Sequence, residues 1–335
     1  MDIIAKNEET HIDKINLPSR STSNVSKASL ISSVCLISAL SAFVPILDEK
    51  DKKAGIEKIE KKTFKYGQRY RHNLDVYYPL KPSLTSNGKV PILFFIYGGG
   101  YNTGQRQFPP PFDMGYRALA AFFAHRGFMT IIPDYRLVPE VRFPAASEDI
   151  RDAIVWVTKN AGTISTPSIE PDTDYIFVMG HSAGAAHTKV MTLYPKIRET
   201  LPPLKGLIWN AGPWFFSVEG EKFRTEGPVK FYFGSAEQQS EREPRALWNK
   251  LSDDEIKSLP DILLVQAERE PNWLQITGVE IMKDMERRLG KAPQRIVGIG
   301  HNHVSPNWAL GSGQGEEWGY EVSKWLHERI GTSSS

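Results

Sequence analysis

The sequence predicts an α/β protein, with a mainly parallel sheet covered by helices on both faces and a small cap. Three observations carry that prediction. Short continuous runs of Ile, Val, Leu and Phe, such as VPILFFI from Val90, read as strands buried on both faces. Amphipathic stretches of helical period separate those runs. Two of the runs also end directly in glycine clusters, YGGG at Tyr97–Gly100 and GHSAG at Gly180–Gly184.

Taken in order, residues 1–27 are polar, rich in Ser, Asn and Thr, and carry no predicted element. Residues 28–47, ASLISSVCLISALSAFVPIL, form a charge-free stretch of about the length that spans a bilayer. Its five serines and one proline weaken the membrane reading. Leu30, Val34, Ile37, Leu40, Val44 and Leu47 recur at helical spacing, which favours a packed cap helix over an anchor. From Glu49 to Arg71 lysines and glutamates interleave, as on a solvated strand surface.

Leu74–Leu80 and Val90–Gly100 then read as strands, and Met114–Gly127 as a helix closed by glycine. Phe128–Leu137 is a strand, followed by a helix over Ser147–Asn160 with Ser147 as its N-cap. Asp174–Gly180 is a strand and the segment after Ser182 a helix. LKGLIWNAG, DILLVQAE and QRIVGIG supply further strands, and Asn272–Gly290 and Glu316–Ile330 the last two helices. The stretch from about 213 to 260 is aromatic and charged without clear alternation and reads as an inserted cap. The predicted organisation is an N-terminal extension, 1–55, and one domain, 56–330.

Composition narrows the function classes. A net charge of +2 gives no field for nucleic acid or an anionic membrane, and 24% charged residues is ordinary for a globular protein. A single cysteine, Cys35, excludes an internal disulfide, so no oxidising compartment is needed. The expected setting is cytoplasmic, with membrane contact through 28–47 less favoured and the oligomeric state open.

GHSAG carries the chemistry. A serine hydroxyl is a weak nucleophile near neutral pH, so it must be exposed and held against a base. A sharp strand-to-helix turn does that, and small residues two before and two after, Gly180 and Gly184, permit the close approach of strand and helix. Ser182 is therefore the candidate nucleophile. The glycines of YGGGY allow the backbone to approach a ligand and aim N–H groups at it. Gly99 and Gly100, with the N–H of Ala183, are the candidate oxyanion hole. No Gly-Lys-Ser/Thr sequence follows, which argues against a phosphate cradle. Tyr101, Trp214 and Phe215 are candidates for an apolar substrate wall.

YGGGY, DYRLVPE (Asp134–Glu140) and GHSAGA together resemble the hormone-sensitive-lipase and kynurenine-formamidase-like (BD-FAE-like) carboxylesterases of the α/β-hydrolase superfamily. The resemblance covers roughly 56–330 in motif order. It implies ester or amide hydrolysis through an acyl-enzyme, with no metal and no organic cofactor. Many members carry His where Tyr97 stands, which bears on the shape of the loop more than on the chemistry. The resemblance also implies an acid after the next-to-last strand and a histidine after the last. Glu270, just before Pro271, takes the acid position, with Glu268 as the alternative. His303, followed by Val-Ser, fits the formamidase-like ending, and His301 fits a Gly-x-x-His ending. Residues two apart on an extended chain point the same way, so the sequence leaves both pairs open. His181 is expected to line or support the turn and His187 to pack in the following helix. A small-ester hydrolase is the leading reading. An arylformamidase-type amide hydrolase and a non-catalytic ligand-binding protein on the same fold are the alternatives.

Overall fold

The computed structural model describes residues 37–38, 40–217 and 227–331. Strands β1 (Lys61–Lys65), β2 (Asn73–Tyr77), β3 (Val90–Ile96), β4 (Met129–Pro133), β5 (Pro171–His181), β6 (Gly206–Asn210), β7 (Asp261–Arg269) and β8 (Gln294–Asn302) form one sheet. Their order is β1-β2-β4-β3-β5-β6-β7-β8. The first two pairings are antiparallel and the remaining five parallel. Every residue of β3, β4 and β6 is buried, as strands covered on both faces must be. Edge strand β1, KKTFK, buries none of its residues and sheds its lysines into solvent, which suits an unpaired edge.

Helices follow the strands in turn. A helical stretch over 40–47, here α1, precedes α2 (Lys50–Glu57). After them come α3 (Gly115–Ala124), α4 (Ala145–Lys159), α5 (Ala161–Ile164), α6 (Ala183–Leu193) and α7 (Pro195–Arg198). Four short helices, α8 (Gly227–Phe233), α9 (Ala236–Arg242), α10 (Pro244–Lys250) and α11 (Asp253–Lys257), stand between β6 and β7. The chain closes with α12 (Asn272–Leu289), α13 (Ser305–Ala309) and α14 (Glu317–Ile330).

Four local expectations change. Residues 28–36 lie outside the described residues, and α1 buries Leu40, Phe43 and Leu47 in the core while Ile37 is 54% exposed. The buried stripe runs through Phe43 instead of Val44, because the larger ring covers more of the core surface. Among the described residues no helix is long and apolar enough to cross a membrane. The lysine-glutamate stretch from 49 folds largely as α2, whose single buried residue is Ile56, so only its second part is strand. Helix α4 begins at Ala145, not at a Ser147 cap: Pro144 supplies the N-cap and its carbonyl accepts from the N–H of Ser147 and Glu148. Ser147 is thereby fully buried in the first turn. The segment between β6 and β7, patternless in sequence, contains two capping boxes, Ser235/Gln238 and Ser252/Glu255, that start α9 and α11.

Candidate active site

All the candidate groups sit at the C-terminal ends of parallel strands. β3 runs into the glycine loop, β5 into Ser182, β7 into Glu270 and β8 into the turn bearing His303. In a parallel sheet those ends share one edge, which brings together residues far apart in sequence.

Ser182 has φ 53° and ψ −122°, a conformation that costs a non-glycine residue on the order of 1–3 kcal/mol. Three glycines make the bend possible. A Cβ on Gly180 would lie 2.7 Å from Cα of Ala185, one on Gly98 would lie 2.8 Å from Cβ of Ser182, and one on Gly184 would collide with the carbonyls of Ile96 and Tyr97. The N–H of Ser182 donates to the carbonyl of Asn210 at 2.9 Å, tying the bend to β6.

The Ser182 hydroxyl lies 2.8 Å from Nε2 of His303, and Nδ1 of His303 lies 2.6 Å from Oε2 of Glu270. The other carboxylate oxygen of Glu270 accepts from the N–H of Ala267 at 3.0 Å. Burial pushes the Glu270 carboxyl up, but the neighbouring His303 and these hydrogen bonds outweigh it and hold it below the ordinary carboxylate range. An ionised carboxylate only accepts, so the His303 proton sits on Nδ1 and the Nε2 lone pair faces the serine.

The alternatives lie elsewhere. Both ring nitrogens of His301 are taken, Nδ1 by Ser305 at 2.9 Å and Nε2 by the carbonyl of Gly315 at 2.7 Å. Glu268 is exposed and accepts from the N–H of Gly300 at 2.9 Å. Asn302 caps the same turn, its Oδ1 accepting from the N–H groups of Val304 and Ser305 at 3.0 Å each. His181 is buried and its Nε2 lies 2.8 Å from the carbonyl of His303. His187 is buried on α6 among the rings of Tyr101, Tyr135 and Tyr232, with neither nitrogen partnered among the described residues.

Gly99 and Gly100 follow β3 with φ 136° and 60°, values a Cβ would strain. Among the described residues, the N–H groups of Gly99, Gly100 and Ala183 meet no hydrogen-bond acceptor. Beneath this loop lies a polar network that sequence inspection did not reveal. Tyr97 donates to Asp134 at 2.7 Å and accepts from Arg71 at 2.9 Å, and Arg71 also holds the carbonyl of Gly104. Arg106 pairs with both Asp134 and Asp75, and Tyr135 donates to the carbonyl of Tyr97 at 2.7 Å. The DYRL motif is the signal that could have found it: Asp134 and Tyr135 brace the glycine loop from below.

The aromatic candidates divide. Tyr101, itself at φ 75°, is buried against His187, Tyr232, Phe233 and Phe216 with ring centroids 4.9–6.0 Å apart. Trp214 is buried between Trp209 and Trp248 and borders a cavity of about 30 Å³ that Glu270 also lines. Phe215 is half-buried against the core. Lys189, fully buried, donates to the carbonyls of Gly212 and Pro213 at 2.6 and 3.3 Å and sits 4.1 Å from the Trp214 ring centre. Burial pushes its amine well below the ordinary lysine range. A groove of about 370 Å³ between α2 and α3 contains none of the Ser182 group. Among the described residues no cluster of three or more His, Cys, Asp or Glu could hold a metal ion.

The sheet order, the helices on both faces and the strand-to-helix bend at a serine are those of the α/β-hydrolase fold. Within it, residues 74–202 match the BD-FAE family. The chain is 32% identical over 157 residues to 3-O-acetylpapaveroxine carboxylesterase CXE1 of Papaver somniferum, covering 45% of this chain and 46% of that protein. It is 33% identical over 159 residues to the non-reducing polyketide synthase Preu6 of Preussia isomera, covering 46% of this chain and 7% of the synthase. The chain thus spans less than half the length of these curated relatives. Esterase B from Lactobacillus rhamnosis, solved with a C4-C4 tributyrin phosphonate, superposes with a TM-score of 0.68 at 15% identity, covering 93% of this chain and 97% of that one.

Proposed function

We propose that this protein is a carboxylic ester hydrolase acting through an acyl-enzyme on Ser182, with His303 as general base, Glu270 as the group that orients it, and Gly99, Gly100 and Ala183 as the oxyanion hole. The observation that carries this reading is the unbroken hydrogen-bond chain from the Ser182 hydroxyl through both nitrogens of His303 to Glu270. His303 Nε2 takes the hydroxyl proton as Oγ bonds to the ester carbonyl carbon, and the carbonyl oxygen becomes an oxyanion held by main-chain amides. The same proton passes to the departing alkoxide. Water then repeats the attack, giving its proton to His303; the acyl C–Oγ bond breaks, the proton passes from His303 to Oγ of Ser182, and the acid is released.

The relatives named as carboxylesterases support an ester over an amide. The packing of Tyr101 favours a short acyl group, because the space just past Gly100 is filled by rings. Residues 213–260, of which 218–226 lie outside the described residues, serve in this reading as the cap insertion of the 56–330 domain. The test is covalent labelling by a fluorophosphonate, followed by turnover of p-nitrophenyl acetate through octanoate beside N-formylkynurenine. Labelling lost in Ser182→Ala, with acetate or butyrate the best substrate, is expected. Labelling that persists in Ser182→Ala removes the nucleophile assignment, and turnover of the formyl amide alone replaces the ester with an amide.

A further inference from the structure

Four elements could hold the base in place, and the structure distinguishes one of them. Glu270 fixes the outer edge of the His303 ring, and Asn302 and Ser305 fix the turn that follows. The backbone of His303 itself receives one side-chain donor among the described residues, Nε2 of His181 at 2.8 Å. The two imidazoles are tilted against each other, with centroids 5.0 Å apart and planes at 36°. His181 is wedged from the other side as well: a Cβ on Gly98 would lie 3.2 Å from its Nδ1. The ring thus fills the gap between the end of β3 and the turn after β8.

From this geometry we infer that His181, the residue just before the nucleophile, is a positioning residue that holds the main-chain carbonyl of His303 and so aims its Nε2 at Ser182. The inference rests on the reading of Ser182 and His303 as the hydrolytic pair. A carbonyl only accepts, so the His181 proton resides on Nε2 and is committed to that bond. The serine hydroxyl meets Nε2 of His303, while Nε2 of His181 is spent as a donor to the carbonyl. Burial and the nearby His303 push its pKa down to about 3, so it carries no charge to oppose an imidazolium on its neighbour. Positioning of this kind acts on rate more than on binding, since displacing a reacting group by about 1 Å can cost on the order of 100-fold.

The test compares His181→Leu, which fills the space without a donor, with His181→Gln, whose amide N–H can reach the same carbonyl. kcat and KM for p-nitrophenyl acetate, the rate of fluorophosphonate labelling and the melting temperature are measured for each. His181→Leu should lower kcat and the labelling rate by roughly 10–100-fold with KM within about twofold, and His181→Gln should recover most of the loss. Where the leucine variant does not fold, His181→Asn, too short to reach the carbonyl, replaces it against glutamine. A wild-type kcat in the donor-less variant, or equal impairment of the donor and donor-less variants, overturns the inference. Ser182→Ala and His303→Ala run alongside. Turnover surviving in those controls removes the hydrolytic reading itself, whereas inactive controls beside a fully active His181→Leu remove only the positioning role.

Discussion

His187 offers a perturbation whose magnitude can be worked out in advance. It is buried on α6 by the rings of Tyr101, Tyr135 and Tyr232, at centroid distances of 4.9–5.2 Å, and neither nitrogen has a partner among the described residues. Burial pushes its pKa from 6.5 to about 3. A histidine with a depressed folded-state pKa contributes no penalty above its unfolded value. Below it, the unfolded chain takes up a proton that the folded chain refuses, so stability falls as the pH drops from 6.5 towards 3. At about pH 5 the gap is roughly 1.5 pH units, or about 2 kcal/mol at 1.36 kcal/mol per unit. His187→Leu, similar in size and suited to a helix, removes that titration. Packing changes in the variant are the same at both pH values, so the comparison between them isolates the proton. Urea unfolding at about pH 7.5 and pH 5 should show the variant gaining about 2 kcal/mol on the wild type as the pH falls. Parallel pH profiles for the two proteins would refute the reasoning, since His187 would then titrate alike folded and unfolded.

Glu270→Gln should lower kcat by roughly 100-fold or more while Glu268→Gln stays near wild type, because only Glu270 meets the imidazole; acylation rates decide, and equal losses would contradict the geometry. Tyr101→Ala should move the preferred p-nitrophenyl ester from acetate towards hexanoate by roughly tenfold in kcat/KM, at a cost of about 3 kcal/mol in stability; an unchanged chain-length profile separates Tyr101 from the acyl pocket. Glu243, half-buried and accepting from the N–H of Phe216, has its pKa raised by burial from 4.5 to about 7. The folded chain holds its proton longer than the unfolded chain, so stability falls as the pH rises from 4.5 to 7. Glu243→Gln should therefore raise the melting temperature at about pH 8 and leave it unchanged near pH 4.5, and scanning fluorimetry at the two values tests this.

The parallel core was legible because burial on both faces writes itself as uninterrupted apolar residues, as in Val90–Ile96 and Phe177–Met179. The rest was hidden for physical reasons. β1 reads as charged surface because an edge strand needs no apolar face, and its ladder with β2 is a main-chain matter. The short helices α8 to α11 bury few residues each, so no period emerges over their five to seven positions. Ser147 looked like a cap because serine prefers that position, yet Pro144 three residues earlier had already begun the helix.

At the candidate site the legible part was whatever a single segment determines. Gly180, Ser182 and Gly184 specify the bend locally, since the clashes that exclude larger residues come from Ala185 and from the neighbouring strand β3. Which side chain meets the serine depends instead on how β8 leaves the sheet. The His301 nitrogens are consumed by Ser305 and Gly315, groups 4 and 14 residues away in the chain, and β8 ends at Asn302, whose Oδ1 caps the turn that carries His303. The two-residue equivalence of an extended chain therefore ends at Asn302: His301 turns to the α13–α14 side while the ring of His303 reaches Ser182. The same logic sets Glu268 apart from Glu270, because the strand register shifts between Ala267 and Arg269. Both ambiguities lie where regular pairing breaks, and periodicity carries no information past such a break.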